Sequence, residues 1–297
     1  MQAELGAEFP EVQATYEDAS EQLGYDLWHI VQQGPKEKLD DTLVTQPAMM
    51  TAGYATWRVW QESGGDVPAQ LAGHSLGEYT ALVCGGAVEF AEAVRLVKRR
   101  AELMQQAVPV GEGAMAAILG LDDDTVGSVC RDAGEGEVVS AVNFNSPGQV
   151  VIAGVRSAVE RAAELAKAAG ARRALLLRIS VPAHCRLMQP AAEQLAEVLA
   201  ETSFAEPAIP VIGNADVCVY ETAEQIRDGL QRQLFSPVRW VETIRLMTEK
   251  GATKIVECGP GKVLAGLTRR IDKRVCSACI DTPAALEALL LKDPRDE

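Results

Sequence analysis

The sequence predicts an α/β protein with a large unit built on a parallel sheet and a smaller inserted unit. Two observations predict it. Short apolar segments alternate with helical segments along most of the chain, which is typical of a parallel sheet covered on both faces. Between residues 111 and 180 the order changes to β-α-β-β-α-β, the ferredoxin-like arrangement. We therefore expect a large unit over residues 1–110 and 181–297 and a ferredoxin-like unit over 111–180.

The first part of the large unit is predicted to be mainly helical. Apolar side chains recur at helical spacing in these segments. In chain order we expect a helix over 11–23, a long helix opened by Gln46-Pro47 and closed by Gly64-Gly65, a strand at 68–72, and helices over 78–85 and 89–106.

The inserted unit is delimited by Pro109 and by the Val181-Pro182 stop. Its predicted strands cover 113–121, 138–143, 149–153 and 174–180, with a turn at 145–148 and helices over 122–133 and 157–169. The chain then returns to helices over 189–202, 222–234 and 238–250, with strands at 209–214 and 254–258.

Composition excludes several classes of function. The 297 residues carry 28 basic and 42 acidic side chains, a net charge of −14, so we expect neither a nucleic-acid nor a membrane-surface partner. The sequence contains no apolar run of 18 residues and its start does not resemble a signal peptide, which predicts a cytoplasmic protein. Seven scattered cysteines favour reduced thiols, and we expect no metal and no cofactor.

Residues 73–78 read GHSLGE, a G-x-S-x-G motif placed between a predicted strand and a predicted helix. That context is typical of a nucleophile elbow, in which a tight turn exposes a serine hydroxyl. Ser75 is the predicted nucleophile. The main-chain N–H of Leu76 would lie at a helix N-terminus, where it could stabilise an oxyanion.

A serine needs a base, and the chain offers three histidines. His29 lies on an amphipathic segment, and His74 neighbours the nucleophile on a turn where adjacent side chains diverge. His184 follows a predicted strand, where catalytic groups of α/β folds collect, so it is the predicted base. No acid between Ser75 and His184 follows a strand of the large unit, which leaves a main-chain carbonyl as a possible orienting group.

Arg100 is a further candidate, at the end of a KRR sequence in the 89–106 helix. A basic residue late in a helix commonly faces water and favours the helix dipole. Arginine is also the side chain best suited to bind a carboxylate with two hydrogen bonds. The residues alone leave both interpretations open.

Together these motifs resemble the malonyl-CoA:acyl-carrier-protein transacylase family over essentially the whole chain. The matching segments, in order, are TQPA (45–48), GHSLGE (73–78), Arg100, VNFNSPGQ (142–149), SVPAHC (180–185), RQL (232–234), PVRW (237–240) and ECGPGKVL (257–264). The resemblance implies an α/β-hydrolase-like large unit, and a monomer that uses malonyl-CoA and acyl carrier protein as its substrates in fatty acid synthesis.

The resemblance also implies roles for individual residues. Ser75 would carry the malonyl ester and His184 would act as base and then as acid. The main-chain carbonyl of Gln233 would orient His184, and Arg100 would bind the malonyl carboxylate. Leu76 and Gln46 are further expected substrate-binding residues, and Leu76 is similar to the residue found in malonyl-selective members.

One segment typical of the family is not found in the sequence. Family members usually carry a Gly-Gln-Gly-Ser-Gln segment after a first strand, and its main chain supplies a second oxyanion donor. The sequence therefore predicts only one of the two donors, which leaves open an inactive, N-terminally truncated form. The motifs are also compatible with a serine esterase or thioesterase, and with a silent binding protein.

Overall fold

The computed structural model describes residues 1–177 and 181–291 and shows an α/β protein. The strands are β1 (Leu71–Ala72), β2 (Gly113–Leu119), β3 (Val139–Ser146), β4 (Gln149–Val155), β5 (Arg173–Leu176), β6 (Val211–Ile212), β7 (Lys254–Cys258) and β8 (Cys276–Ile280). The helices are α1 (Ala3–Glu8), α2 (Pro10–Leu23), α3 (Leu27–Gln33), α4 (Lys36–Leu39), α5 (Thr42–Glu62), α6 (Gly77–Cys84), α7 (Phe90–Ala107), α8 (Asp123–Gly134), α9 (Arg156–Ala168), α10 (Gln189–Glu201), α11 (Ala223–Gln233), α12 (Trp240–Glu249), α13 (Val263–Ile271) and α14 (Pro283–Leu290).

Within residues 1–177 and 181–291, two parallel strand pairs lie outside the inserted segment. Strand β1 pairs with β6, and β7 pairs with β8 over five residues on each strand. Because β1 and β6 are parallel, their carboxyl ends lie at the same edge. Residues 73–77 follow β1 and Asn214 follows β6, so the predicted nucleophile and this asparagine meet there.

The inserted segment folds as a four-stranded antiparallel sheet in the order β3-β4-β2-β5. Helices α8 and α9 cover one face, where their apolar residues bury Ile118, Val150 and Ile152. Strand β3 also bonds to the segment before α12, since the N–H of Phe144 donates to the Val238 carbonyl at 3.0 Å. The end of β3 lies beside the residues that follow β1, since Oδ1 of Asn145 is 2.8 Å from Nε2 of His74.

The long helix α5 begins earlier than the sequence predicted. Asp41 caps it by accepting a hydrogen bond from the N–H of Leu43, so the helix starts at Thr42 and not at Gln46-Pro47. Pro47 is the sixth residue of the helix, beyond the first turn, so its missing N–H removes the hydrogen bond to the Leu43 carbonyl. Gln46 consequently faces the interior, on the second turn of α5, and is buried.

Other boundaries differ by a few residues. Strand β3 continues to Ser146, so the predicted turn at 145–148 shortens to Pro147-Gly148. Strand β5 ends at Leu176, and residues 178–180 of the predicted strand lie outside the described residues. Helices α13 and α14 and strand β8 were not predicted.

Candidate active site

Ser75 lies on a tight turn between β1 and α6. Its φ of 51° is in the left-handed region, which projects the side chain away from the sheet. Gly73 makes the turn possible, because a Cβ on that residue would lie 1.9 Å from the carbonyl carbon and oxygen of Gly77. The Ser75 hydroxyl therefore lies at the edge of the sheet, on a turn between a strand and a helix that the close Gly73–Gly77 contact holds tight.

Asn214 clamps this turn from the neighbouring strand. Its Oδ1 accepts from the main-chain N–H of Ser75 at 2.7 Å, and its Nδ2 donates to the Gly73 carbonyl at 2.7 Å. Asn214 is fully buried, so both hydrogen bonds are shielded from water. The turn is thus fixed on both sides of the serine. Asn214 was not predicted from the sequence, although its place at the end of a predicted strand was a usable signal.

His184 contacts Ser75 although the two residues are 109 positions apart in the sequence. Its Nε2 lies 2.7 Å from the Ser75 Oγ, and its Nδ1 lies 2.8 Å from the main-chain oxygen of Gln233. A carbonyl only accepts, so Nδ1 carries the proton and Nε2 is free to accept from the serine. No carboxylate is needed to fix this tautomer, because the Gln233 carbonyl does it.

Burial and charge keep the His184 imidazole neutral. Desolvation lowers the pKa of His184 to about 3, and the nearby Arg100 cation acts in the same direction. The side chain is 3 % exposed. A neutral imidazole bonded to a serine hydroxyl is the state that a general base requires.

Arg100 is buried beside the nucleophile and does not face water. It is 2 % exposed, and its Nη2 lies 3.3 Å from the Ser75 Oγ. The guanidinium also donates to the side-chain oxygens of Gln46 and Gln233, the latter at 3.1 Å. It packs over the Tyr79 ring at 5.3 Å. Among the described residues its Nε has no hydrogen-bond partner. A cation with spare donors next to a nucleophile is suited to bind an anionic acyl group.

Glu78 lies beneath this arrangement with its carboxylate fully buried. It accepts hydrogen bonds from the main-chain N–H of Asn214 at 2.9 Å, from Nε2 of Gln233 at 2.9 Å and from the Tyr220 hydroxyl. Burial raises the pKa of Glu78, and these bonds and the charge of Arg100 oppose the shift. Glu78 ends the GHSLGE motif, but the sequence predicted no role for it, and Tyr220 gave no signal.

The other predicted residues take these places. The main-chain N–H of Leu76, at the start of α6, has no acceptor within the described part of the chain and so is available to an oxyanion. His74 bonds through Nε2 to Oδ1 of Asn145 at 2.8 Å and lies against Trp240, away from the serine proton. His29 is exposed on α3. Within residues 1–177 and 181–291, no group of three or more His, Cys, Asp or Glu side chains could hold a metal ion.

The structure thus brings together Ser75, His184, Arg100 and both predicted glutamines, with Leu76 adjacent to the serine. This arrangement can form an ester on Ser75 and protonate the group that leaves. The sequence profile of the acyl transferase domain matches residues 4–278. A malonyl CoA-acyl carrier protein transacylase of Escherichia coli K12 is 54% identical over 290 residues, covering 98% of this chain and 94% of the relative.

The chain belongs to the malonyl-CoA:acyl-carrier-protein transacylase family, and it is an acyltransferase. Two solved structures of this family are closely similar. An acyl carrier protein S-malonyltransferase from Vibrio cholerae has a TM-score of 0.95 at 55% identity, with coverage of 97% of this chain and 94% of that one. A malonyl-transacylase in complex with a type II polyketide acyl-carrier protein has a TM-score of 0.96 at 53% identity, with coverage of 98% and 94%. None of the described helices is long and apolar enough to cross a membrane.

Proposed function

We propose that this transacylase-family chain moves the malonyl group from malonyl-CoA to the phosphopantetheine thiol of acyl carrier protein, supplying fatty acid synthesis. The observation that carries the proposal is the buried Arg100 guanidinium, 3.3 Å from the hydroxyl that His184 activates. A nucleophile beside a fixed cation favours an acyl group that ends in a carboxylate. The names of the relatives support the same donor and acceptor.

The first half-reaction forms an ester on Ser75. As Oγ attacks the thioester carbonyl carbon, its proton passes to Nε2 of His184, 2.7 Å away. The Leu76 N–H donates to the oxygen that becomes negative. The C–S bond then breaks, and the imidazolium returns its proton to the sulfur of coenzyme A. The Gln233 carbonyl holds the ring throughout and stabilises its charged form.

The second half-reaction reverses these steps with a different thiol. The phosphopantetheine thiol gives its proton to His184 and attacks the ester carbon, and the Ser75–acyl bond breaks as Oγ takes the proton back. The exchange is ping-pong and needs no cofactor, because one imidazole carries the proton in each direction. Arg100 and Gln46 position the acyl group through its carboxylate.

We also assign the units as the sequence divides them. We propose an α/β-hydrolase-like unit over 1–110 and 181–297 and a ferredoxin-like unit over 111–180, of which residues 178–180 and 292–297 lie outside the described residues. The strand order β3-β4-β2-β5 with two helices on one face supports the second assignment. We propose a monomer, as the resemblance to the family implies.

Transfer and hydrolysis are separated by the fate of the loaded acyl group. We expect malonyl-loaded enzyme to be stable in buffer and to discharge rapidly when phosphopantetheinylated carrier protein is added. Rapid loss of malonate in buffer alone, with no acceleration by the carrier thiol, would make the enzyme a thioesterase. The unmodified carrier protein, which lacks the thiol, is the control.

A further inference from the structure

Arg100 has an unusual electrostatic setting for a buried cation. Its contacts are the amide oxygens of Gln46 and Gln233, the Ser75 hydroxyl and the Tyr79 ring, and none of them is charged. Within the described part of the chain, no carboxylate forms an ion pair with it. An uncompensated buried charge is costly, so a countercharge is expected nearby.

Glu78 lies one side chain away from Arg100. Gln233 bridges the two, because its Oε1 accepts from the guanidinium at 3.1 Å while its Nε2 donates to the Glu78 carboxylate at 2.9 Å. The amide dipole is therefore oriented with its oxygen toward the cation and its NH₂ toward the anion. The two charges attract each other across this amide without touching.

Three hydrogen-bond donors around Glu78 favour its ionised form and oppose the effect of burial, which raises its pKa. Its three hydrogen bonds come from N–H or O–H groups, and the Tyr220 hydroxyl reaches it through a slot between two glycines. A Cβ would lie 2.5 Å from that hydroxyl at Gly213 and 2.1 Å at Gly229. Larger residues at either position would push the tyrosine out and remove one donor from the carboxylate.

We propose that Glu78 is the displaced counterion of Arg100: it compensates the buried guanidinium through Gln233 and so leaves the contact positions of the guanidinium free for a ligand carboxylate. A direct Glu–Arg pair would occupy those positions. A site without Glu78 would hold the ligand more tightly, since its negative charge opposes that of the ligand. Glu78 is thus a positioning residue that sets the affinity for an anionic acyl group, a role that rests on the proposed function.

A double-mutant cycle on stability tests the charge coupling without using activity. We expect Glu78→Gln, which keeps the shape, and Arg100→Met each to lower the melting temperature. The double variant should melt at least about 2 °C above the value that the sum of the two single losses predicts, because it leaves no unpaired buried charge. Strictly additive losses of melting temperature would overturn the proposal. If Glu78→Gln alone does not fold, we expect the double variant to fold, and a double variant that also fails to fold would overturn the proposal. Tyr220→Phe, which removes a donor but no charge, is the control and should be close to additive with Arg100→Met.

The ligand role is tested by loading Ser75 from malonyl-CoA and from acetyl-CoA. In Glu78→Gln we expect the preference for malonyl over acetyl to rise about tenfold, from removal of one charge several ångströms from the carboxylate. A purely structural role would lower both loading rates together, and an unchanged or reduced preference would contradict the inference. If the wild-type enzyme loads neither donor, the proposed function fails, and the stability cycle still decides the coupling.

Discussion

The Ser75 hydroxyl and the His184 imidazole lie 2.7 Å apart although 109 residues separate them in the chain. Both residues have a main-chain conformation in the left-handed region, with φ of 51° for Ser75 and 65° for His184. Non-glycine residues adopt this region rarely and at some cost, so the surrounding structure holds both in place. Asn214 does so for the serine, and the Gln233 and Leu234 carbonyls do so for the histidine.

The lowered pKa of His184 predicts a flat pH profile for ester formation. With a pKa of about 3, the imidazole is almost entirely unprotonated at pH 5 and above, so the second-order rate constant should not fall between about pH 8 and about pH 5. A histidine with the ordinary value of about 6.5 would lose about 30-fold over that range. Single-turnover loading measured by quenched mass spectrometry gives the profile.

Acetyl-CoA is the control for this profile, because it lacks the carboxylate that titrates on malonyl-CoA. A fall of the acetyl loading rate centred near the ordinary histidine pKa would show that His184 is solvated and not buried in the working enzyme.

Removing the Arg100 guanidinium should abolish the discrimination between acyl groups. We expect Arg100→Ala to reduce malonyl loading by about 100-fold and acetyl loading by far less, because a charge-assisted pair of hydrogen bonds contributes about 3 kcal/mol. Competition between the two donors for Ser75 measures the ratio.

Arg99→Ala is the matched control for this substitution. Arg99 precedes Arg100 on α7, is partly exposed and pairs with Glu102 at 3.1 Å. The Arg99→Ala variant should keep the wild-type ratio of malonyl to acetyl loading. If Arg100→Ala keeps that ratio as well, Arg100 does not bind the acyl carboxylate.

The two glycines of the elbow motif should respond differently to alanine. Gly73→Ala places a methyl group 1.9 Å from the main chain of Gly77, which neither segment can relieve without moving Ser75. We expect it to lower the free energy of unfolding by about 3 kcal/mol or more, or to prevent folding. Denaturant unfolding measures the loss.

Gly77→Ala is the paired test. A Cβ at this position meets nothing within 4 Å, and the residue is the first of α6. Its stability should change by less than about 1 kcal/mol, and an alanine helix position can even gain. Equal losses at both positions would mean that the turn is not closed by the Gly73 contact.

The sequence predicted the nucleophile and the base because each can be recognised from the sequence itself. The G-x-S-x-G motif marks the turn, and His184 follows by elimination among three histidines. Arg100 also carries a signal of its burial. It lies four residues after Leu96 and four before Met104, on the buried face of α7, but this spacing was not used and the sequence left both interpretations of Arg100 open.

The hydrogen-bond network beneath the site was not predictable in this way. Asn214 and Tyr220 reach the elbow from sequence distances of 139 and 142 residues, and only the parallel pairing of β1 with β6 brings them there. The early start of α5 has a local cause, since capping by Asp41 outweighed the proline signal at Pro47. Such long-range contacts and competing local signals require the folded structure.

Intact-protein mass spectrometry after brief incubation with malonyl-CoA tests the central claim most directly. We expect one added malonyl group on the wild-type chain, none on Ser75→Ala, and loss of the group when phosphopantetheinylated carrier protein is added. An unmodified wild-type chain, or a malonyl group that persists on Ser75→Ala, would contradict acyl transfer through this serine.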